Sequence, residues 1–153
     1  MNDTALNPRY QALIQLLRTA ETLWQSSRAL FSRWDLSPSQ FNVLNLLRDS
    51  PDGISQTDLS RELLMHRSNA TGLVDRLEER HLVKRRNTPG DRRAYRVVLT
   101  PHGMRLLKEI LPHYYHASEA VFDGVDEQAG VRLKLCLERM TQNAERLARE
   151  YTL

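Results

Sequence analysis

The chain is short of cysteine, of aromatic residues and of long apolar runs. Its only cysteine among 153 residues is Cys136, which excludes an intramolecular disulfide and agrees with a reducing compartment. No uninterrupted apolar stretch approaches the length that crosses a bilayer, and Met1-Asn2-Asp3-Thr4 lacks the basic flank of a signal peptide. We therefore expect a cytoplasmic protein with no membrane partner.

Common catalytic motifs are absent as well. The sequence contains no Gly-x-Ser-x-Gly, no glycine-rich phosphate loop, no His-Glu-x-x-His and no Cys-x-x-Cys. An apolar content of 41% and a charged content of 27% are ordinary for a folded domain of this length. These features predict a globular protein that is not an enzyme and needs no cofactor.

Charge is distributed unevenly along the chain. Residues 61–96 contain ten Lys/Arg and five Asp/Glu, a net charge of +5, whereas the other residues contain 12 basic and 14 acidic side chains, a net of −2. A basic segment in a slightly acidic frame is typical of a protein that presents one surface to a polyanion. A solvated basic face without a partner is the alternative.

Both ends of the chain predict helices with more apolar surface than one small core can cover. Between Tyr10 and Trp34, apolar residues recur at helical spacing, and Leu16, Leu23 and Leu30 form a second stripe. A helix that is apolar on two sides needs two partners, one of which can be a second subunit. The last helix carries a similar seam at Ala129, Leu133, Cys136, Met140, Ala144, Leu147 and Tyr151.

The middle of the chain begins with a strong helix start. Ser37 is a cap residue, Pro38 has the φ angle of a first helical position, and Gln40 can bond back to the cap. This helix is expected to bury Phe41, Leu44 and Leu47 before the turn at 50–53.

Two further helices follow a one-residue strand at Ile54. Residues 55–58 resemble a second capping box, which starts a short helix that buries Leu59 and Leu63. A break at 64–66 separates it from a helix over 67–80, and two short helices joined in this way are typical of a helix-turn-helix. The second helix is expected to bury Ala70, Leu73, Val74 and Leu77.

A β-hairpin and another helix complete the pattern. Segments 82–86 and 94–99 predict two strands, joined by a loop over 87–93 that contains Pro-Gly. Thr100 and Pro101 then start a helix, which Pro112 should kink or interrupt. The chain is thus expected to be mainly α with a small β-hairpin: a winged helix-turn-helix over 36–100, flanked by dimerisation helices over 8–34 and 101–151, in one protomer of residues 1–153.

The second helix of this motif is expected to enter the DNA major groove. Asparagine can pair with adenine and arginine with guanine through two hydrogen bonds each. Hydroxyl, amide and backbone N–H groups at the start of the preceding helix can bind phosphate. The candidate base-reading residues are Arg67, Ser68, Asn69, Thr71 and Arg76, and the candidate phosphate-binding residues are Ser55, Gln56 and Thr57.

The hairpin, or wing, is expected to lie beside that helix. Arg92 and Arg93 would reach the minor groove, where the negative potential is enhanced, and Asp91 can orient an arginine through an ion pair. Lys84, Arg85 and Arg86 would either neutralise phosphate or keep an edge strand soluble.

Several of these segments together resemble the multiple-antibiotic-resistance regulator (MarR) family. They are Asp58-Leu59-Ser60, Val74-Asp75-Arg76-Leu77-Glu78, Leu82-Val83-Lys84-Arg85, Asp91-Arg92-Arg93-Ala94 and Leu99-Thr100-Pro101-His102-Gly103. The resemblance implies an obligate homodimer with interleaved terminal helices. It also implies a transcriptional regulator, most often a repressor, that binds a pseudo-palindromic operator and is released by a small aromatic or anionic effector.

By position, the resemblance also implies a cleft in which an effector binds. Three features of this chain depart from the family pattern. His81 stands where glycine commonly closes the recognition helix, and His66 where a better cap is usual. Cys136 lies on the last helix rather than near the first, so thiol sensing is not expected. The candidate cleft residues are Trp24, Arg28, Trp34, Phe41 and His113.

Two alternative functions remain open at the level of sequence. His113 and His116, with Glu109 and Glu119 nearby, could converge on zinc in a metal-responsive regulator of the same fold, although we assign no metal site to this chain. The second alternative is a winged-helix protein that binds another protein instead of DNA, against which the basic hairpin argues.

Overall fold

The chain forms a mainly helical fold with one small sheet, as the sequence predicts. The computed structural model describes residues 7–63, 67–88 and 91–151, and the side chains of all of these except 67, 88 and 91–94. Two compact units are present, the first ending at Leu111 and the second beginning at Pro112. No helix in the described ranges is both long enough and apolar enough to cross a membrane.

The helices and strands follow one another in the order of a winged helix-turn-helix. The elements are α1 (Pro8–Phe31), a 3-10 turn (Ser32–Trp34), α2 (Pro38–Arg48), β1 (Ile54–Ser55), α3 (Gln56–Glu62), α4 (Arg67–Glu79), β2 (Val83–Thr88), β3 (Asp91–Leu99), α5 (Pro101–Val121) and α6 (Glu127–Tyr151). The break predicted at 64–66 lies outside the described residues.

Local hydrogen bonds explain where the helices begin. The Ser37 hydroxyl accepts the backbone N–H of Gln40, and the Gln40 side chain accepts the backbone N–H of Ser37 at 2.8 Å, which completes the predicted capping box. At the start of α5, the Thr100 hydroxyl accepts the N–H of Gly103 and donates to the carbonyl of His81. The last contact ties the start of α5 to the end of α4.

The sheet is antiparallel, with strand order β1-β3-β2. Ile54 pairs with Val97, and Val83 pairs with Leu99 at the base of the hairpin. The hairpin strands are longer than predicted: β2 continues to Thr88 and β3 begins at Asp91, with a register shift between Asn87 and Thr88. The predicted loop over 87–93 is therefore wrong, because cross-strand pairing extends the strands into a segment with weak local strand preference.

The core lies in the first unit, where α2, α3 and α4 pack against the sheet. All four inward positions predicted for α4 are buried, as are the three predicted for α2. Phe31 and Phe41 stack with ring centroids 4.2 Å apart, which joins α1 to α2. The fully buried side chains of this core include Phe31, Phe41, Leu44, Leu47, Leu59, Leu77, Leu82, Leu107 and Ile110.

Two helical segments end in the same left-handed turn without glycine. His81 has φ +58°. Its N–H donates to the carbonyl of Glu78, and the N–H of Leu82 donates to the carbonyl of Leu77. The equivalent bonds after the 3-10 turn place Asp35 at φ +53°. Both are Schellman turns, so His81 does occupy the position that glycine usually takes.

The long C-terminal helices differ from expectation at one point. Pro112 lies inside α5, and the helix continues through it to Val121, so the predicted interruption does not occur, while the alternative of a kink at Pro112 stays a prediction. In α6 no residue is buried, and Leu133 and Leu147 are 45% and 49% exposed.

Candidate nucleic-acid interface

Helix α4 presents a polar face opposite its buried one. Ser68, Asn69 and Arg76 are exposed, while Ala70 and Val74 are fully buried. The Nε–H of Arg76 donates to the carbonyl of Gly72 at 3.0 Å, so its side chain lies along the helix. This face offers amide, hydroxyl and guanidinium groups of the kind that read base edges. The side chain of Arg67 lies outside the described residues.

One buried side chain joins the two helices of the motif. Gln56 is only 7% exposed, and its Nε2–H donates to the hydroxyl of Thr71. Gln56 and Thr71 therefore hold α3 against α4, and this position leaves Gln56 little surface for the predicted phosphate contact. Thr57, one residue later, is exposed.

The start of α3 is closed by its own cap. The Ser55 hydroxyl accepts the N–H of Asp58 and donates to its carboxylate at 2.6 Å. This hydrogen bond from Ser55 holds the pKa of the Asp58 carboxyl below its usual value; burial opposes the shift, and the charges of Arg61 and Arg96 add to it. The Ser55 side chain is thus occupied within the protein, and its predicted role in phosphate binding is still a prediction.

The outer strand of the wing alternates between exposed and inward-facing cations. Lys84 and Arg86 are exposed, whereas Arg85 between them is partly buried. On β3, the Arg96 guanidinium donates to the carbonyls of Asp52 and Gly53, so Arg96 braces the turn before β1. The side chains of Asp91, Arg92 and Arg93 lie outside the described residues, although their backbone forms the start of β3.

Arg85 makes the densest set of polar contacts in the described part of the wing. Its guanidinium donates to the carboxylates of Asp75 and Glu78 on α4 and lies 5.1 Å from the ring centroid of Tyr95. Burial lowers the pKa of Arg85, but hydrogen bonds to Asp75, Tyr95 and Glu78 outweigh that effect and raise it. Arg85 stays charged at any pH at which the protein folds.

The end of α4 is attached to the turn after α1. Arg80 donates to the carbonyls of Asp35 and Trp34, the latter at 3.1 Å. The indole of Trp34 in turn donates to the carboxylate of Glu109 on α5 at 2.7 Å. Helix α4, the predicted recognition helix, is therefore linked through the carbonyls of Trp34 and Asp35 to the turn after α1, and Trp34 is one of the predicted effector contacts.

The residues predicted for the effector cleft differ in exposure, and their common role stays a prediction. Trp24 and Arg28 lie four residues apart on α1, and both are exposed. Phe41 is 1% exposed and belongs to the core, so its ring has no surface for a ligand in this conformation. Trp34 is half-buried, and His113 is exposed on α5. An open cavity of about 300 Å³ adjoins Arg28 between α1 and α2, lined also by Ser32, Asp35, Leu36, Ser37, Pro38 and Gln40.

The metal alternative finds no structural support. Among the residues that the structure describes, no three His, Cys, Asp or Glu side chains come together as metal ligands would. Glu109, one of the predicted ligands, accepts the Trp34 indole N–H instead.

Sequence reasoning missed the contacts of Arg80, and it gave Arg85 a role in phosphate binding or strand solubility rather than in contact with α4. The available signal was the pair Asp75 and Glu78, because acidic residues three apart share one helix face. Two carboxylates on a helix that is predicted to meet DNA favour a nearby cation, and Arg85 on the facing wing strand supplies it.

Comparison with known proteins agrees with this architecture. A sequence model described as the MarR family matches residues 34–94. The transcriptional regulator MhqR of Bacillus subtilis is 32% identical over 112 residues, which are 73% of this chain and 72% of MhqR. The transcriptional repressor NicR of Pseudomonas putida is 29% identical over 143 residues, covering 91% and 90% of the two chains.

A solved structure shows the same similarity in three dimensions. BpsR of Bordetella bronchiseptica, whose DNA binding is regulated by 6-hydroxynicotinic acid, matches with a TM-score of 0.69 at 27% identity. The match covers 83% of this chain and 98% of BpsR.

Proposed function

This chain belongs to the MarR family of transcriptional regulators, and on that basis we propose that it binds a pseudo-palindromic operator as a homodimer. The proposal assigns DNA contact to residues 36–100 and subunit contact to the helices over 8–34 and 101–151. It further assigns the dimer the role of a repressor, which a small aromatic or anionic effector releases from DNA.

The observation that carries the DNA-binding proposal is the two-faced character of α4. Its buried face anchors the helix, and its exposed face carries Ser68, Asn69 and Arg76 next to a wing with exposed Lys84 and Arg86. A helix held this way can enter a major groove while cations on the wing contact the backbone. Arg92 and Arg93, at the start of β3, would extend the contact into the minor groove.

Exposed apolar side chains on the terminal helices support the dimer. Leu17 on α1 is 58% exposed, and Leu133 and Leu147 on α6 are each almost half exposed. Rows of apolar residues open to water on two long helices are typical of a surface that another subunit covers.

The effector proposal draws on the surface around Arg28. Its guanidinium beside a cavity of about 300 Å³ suits a carboxylate, and Trp24 on the same helix face offers an aromatic surface. BpsR, which responds to 6-hydroxynicotinic acid, supports an effector of this chemistry, and the name of NicR supports the role of a repressor. Trp34 and His113 remain candidate contacts, and Phe41 would need a change of conformation.

The DNA-binding proposal is tested by fluorescence anisotropy on fragments of the protein's own promoter. Log affinity should fall steeply with log salt concentration because bound phosphates release counterions. Half-site centres should lie about 10–10.5 base pairs apart if two recognition helices enter successive major grooves.

Arg92→Ala and Arg93→Ala should each weaken binding, whereas Arg48→Ala removes the same charge from the end of α2 and should not. A stable monomer that binds none of these promoter fragments would refute the proposal.

The effector is tested with defined probes. Benzoate, salicylate and 6-hydroxynicotinate are titrated into the protein–DNA complex, and release of DNA is measured. At least one aromatic carboxylate should release it, and Arg28→Ala should raise the concentration required. Release by none of the three, or release that Arg28→Ala leaves unchanged, would contradict the proposed site.

A further inference from the structure

We propose that Arg85 is a positioning residue for DNA binding: it fixes the wing relative to the recognition helix and contacts no DNA itself. The inference rests on the proposed function, because it assigns a role within the same protein–DNA contact. It also reassigns a cation that sequence alone places among candidate phosphate contacts.

The sheet register directs Arg85 toward α4. Arg85 pairs with Val97, a fully buried residue, whereas its neighbours Lys84 and Arg86 are exposed. Side chains alternate between the two faces of a strand, so Arg85 lies on the inner face of the wing. Only 24% of its side chain is exposed.

Three hydrogen bonds join this one residue to α4. The guanidinium donates through Nη1 to Oε2 of Glu78 and through Nη2 to Oδ1 of Asp75. The backbone N–H of Arg85 donates to the other carboxylate oxygen of Glu78 at 2.8 Å. Glu78 therefore accepts from both the backbone and the side chain of Arg85, which constrains β2 in position and in orientation.

The third partner of the guanidinium lies on the other strand of the wing. Tyr95 is diagonal to Arg85 across the β2–β3 pair, and the guanidinium carbon is 5.1 Å from its ring centroid. One planar group thus contacts α4 and both wing strands. A lysine ammonium has no planar fork and cannot make the same set of contacts.

The charges of the cluster favour positioning over phosphate binding. Asp75 and Glu78 are partly exposed on the helix proposed to meet DNA, with 50% and 36% of their side chains accessible. Arg85 offsets one of these two negative charges, and two of its five guanidinium N–H donors are taken by the carboxylates. A wing fixed before binding also loses less conformational entropy when it contacts DNA.

The first test uses Arg85→Lys, which keeps the charge and removes the fork. Measured by anisotropy on a promoter fragment, its affinity should fall about tenfold, the size expected for lost charge-assisted hydrogen bonds, with the salt dependence unchanged. A lysine would bind phosphate equally well, so an Arg85→Lys affinity equal to that of the wild type would overturn the inference. The matched control is Arg61→Lys: Arg61 also pairs with a carboxylate, Asp58, but its side chain is 70% exposed, and its ion pair lies within α3.

The second test separates positioning from simple electrostatics. Glu78→Gln removes a negative charge from the proposed DNA-binding helix, so electrostatics alone predicts tighter binding. If Glu78 anchors the wing through Arg85, the variant should bind more weakly, with circular dichroism and the thermal midpoint showing that it is folded. Equal or tighter binding would overturn the inference.

A double-mutant cycle provides the last readout. When the wing is no longer held, Arg92→Ala should cost less affinity in the Arg85→Lys background than in the wild type, and additive losses would overturn the inference. Wild-type protein that binds no promoter fragment would instead refute the proposed function, and the inference with it. Wild-type binding together with unaffected Arg85 and Glu78 variants would refute the inference alone.

Discussion

The indole Nε1–H of Trp34 donates a hydrogen bond to Oε1 of Glu109 at 2.7 Å, although 75 residues separate the two. Trp34 ends the 3-10 turn that follows α1, and Glu109 lies on α5. Because the carbonyl of Trp34 also accepts a hydrogen bond from Arg80, this residue links the first helix, the recognition helix and α5. It is the most connected of the aromatic residues predicted for the effector cleft.

Trp34→Phe should therefore lower the free energy of unfolding by about 1 kcal/mol, the usual net value of one partly exposed hydrogen bond. Phenylalanine retains most of the apolar ring and removes the N–H donor. Urea unfolding at fixed protein concentration measures the change, with Glu109→Gln as the control that keeps an acceptor oxygen. A stability equal to wild type would show that water replaces this bond without loss.

His81→Gly should stabilise the protein by about 0.5–1 kcal/mol, because relief of the left-handed φ outweighs the added entropy of the unfolded chain. The gain should appear as a higher urea midpoint with an unchanged slope. The control is Arg105→Gly at an exposed helical position of α5, which should cost about 1 kcal/mol. A loss of stability in His81→Gly would mean that the histidine side chain makes a stabilising contact.

Gly103→Ala should destabilise the protein by about 1–3 kcal/mol, the range of an overpacked core. A Cβ atom at Gly103 would lie 2.1 Å from the carbonyl oxygen of Leu82, so the backbone at the base of the wing would have to move. Thermal unfolding provides the measurement. Gly72→Ala is the matched control, since its Cβ would meet only the Arg76 side chain at 3.6 Å and alanine favours the helix by about 1 kcal/mol.

Asp58 should make stability depend on acid pH. Because the Ser55 hydroxyl lowers the pKa of Asp58 in the folded protein below its ordinary value of 3.8, folding is favoured above that value. The contribution is lost as the pH falls through the folded pKa. Ser55→Ala should bring that pKa back toward its ordinary value, as carboxyl NMR titration would show.

The control for this pH dependence is Asp58→Asn, which removes the titrating group. Its free energy of unfolding should vary less between about pH 2 and pH 6 than that of the wild type. An Asp58 pKa that does not move in Ser55→Ala would contradict the assigned cause of the shift.

Local signals in the sequence correctly predicted most elements of the fold. The capping box at Ser37 and the four inward positions of α4 follow from residues within one or two helical turns of each other. The wing strands were predicted too short because pairing near Thr88 and Asp91 depends on the opposite strand. At Pro112 the sequence left a kink or an interruption open, and the structure excludes the interruption.

The candidate interface was less accessible to sequence reasoning. Gln56 has a residue type that suits phosphate, yet it is buried against Thr71. Phe41 was predicted both for the core and for the cleft, and the structure places it in the core, stacked on Phe31. In each case, the direction of a side chain depends on how two elements pack.

By itself, the sequence determined the order of the helices and strands, the buried face of α4 and the concentration of positive charge over 61–96, since these depend on periodicity, caps and composition. Only the tertiary structure decided which cations remain available to a polyanion. Arg85 and Arg86 are adjacent and chemically identical, but the pleat of β2 turns Arg85 toward the carboxylates of α4 and leaves Arg86 in solvent.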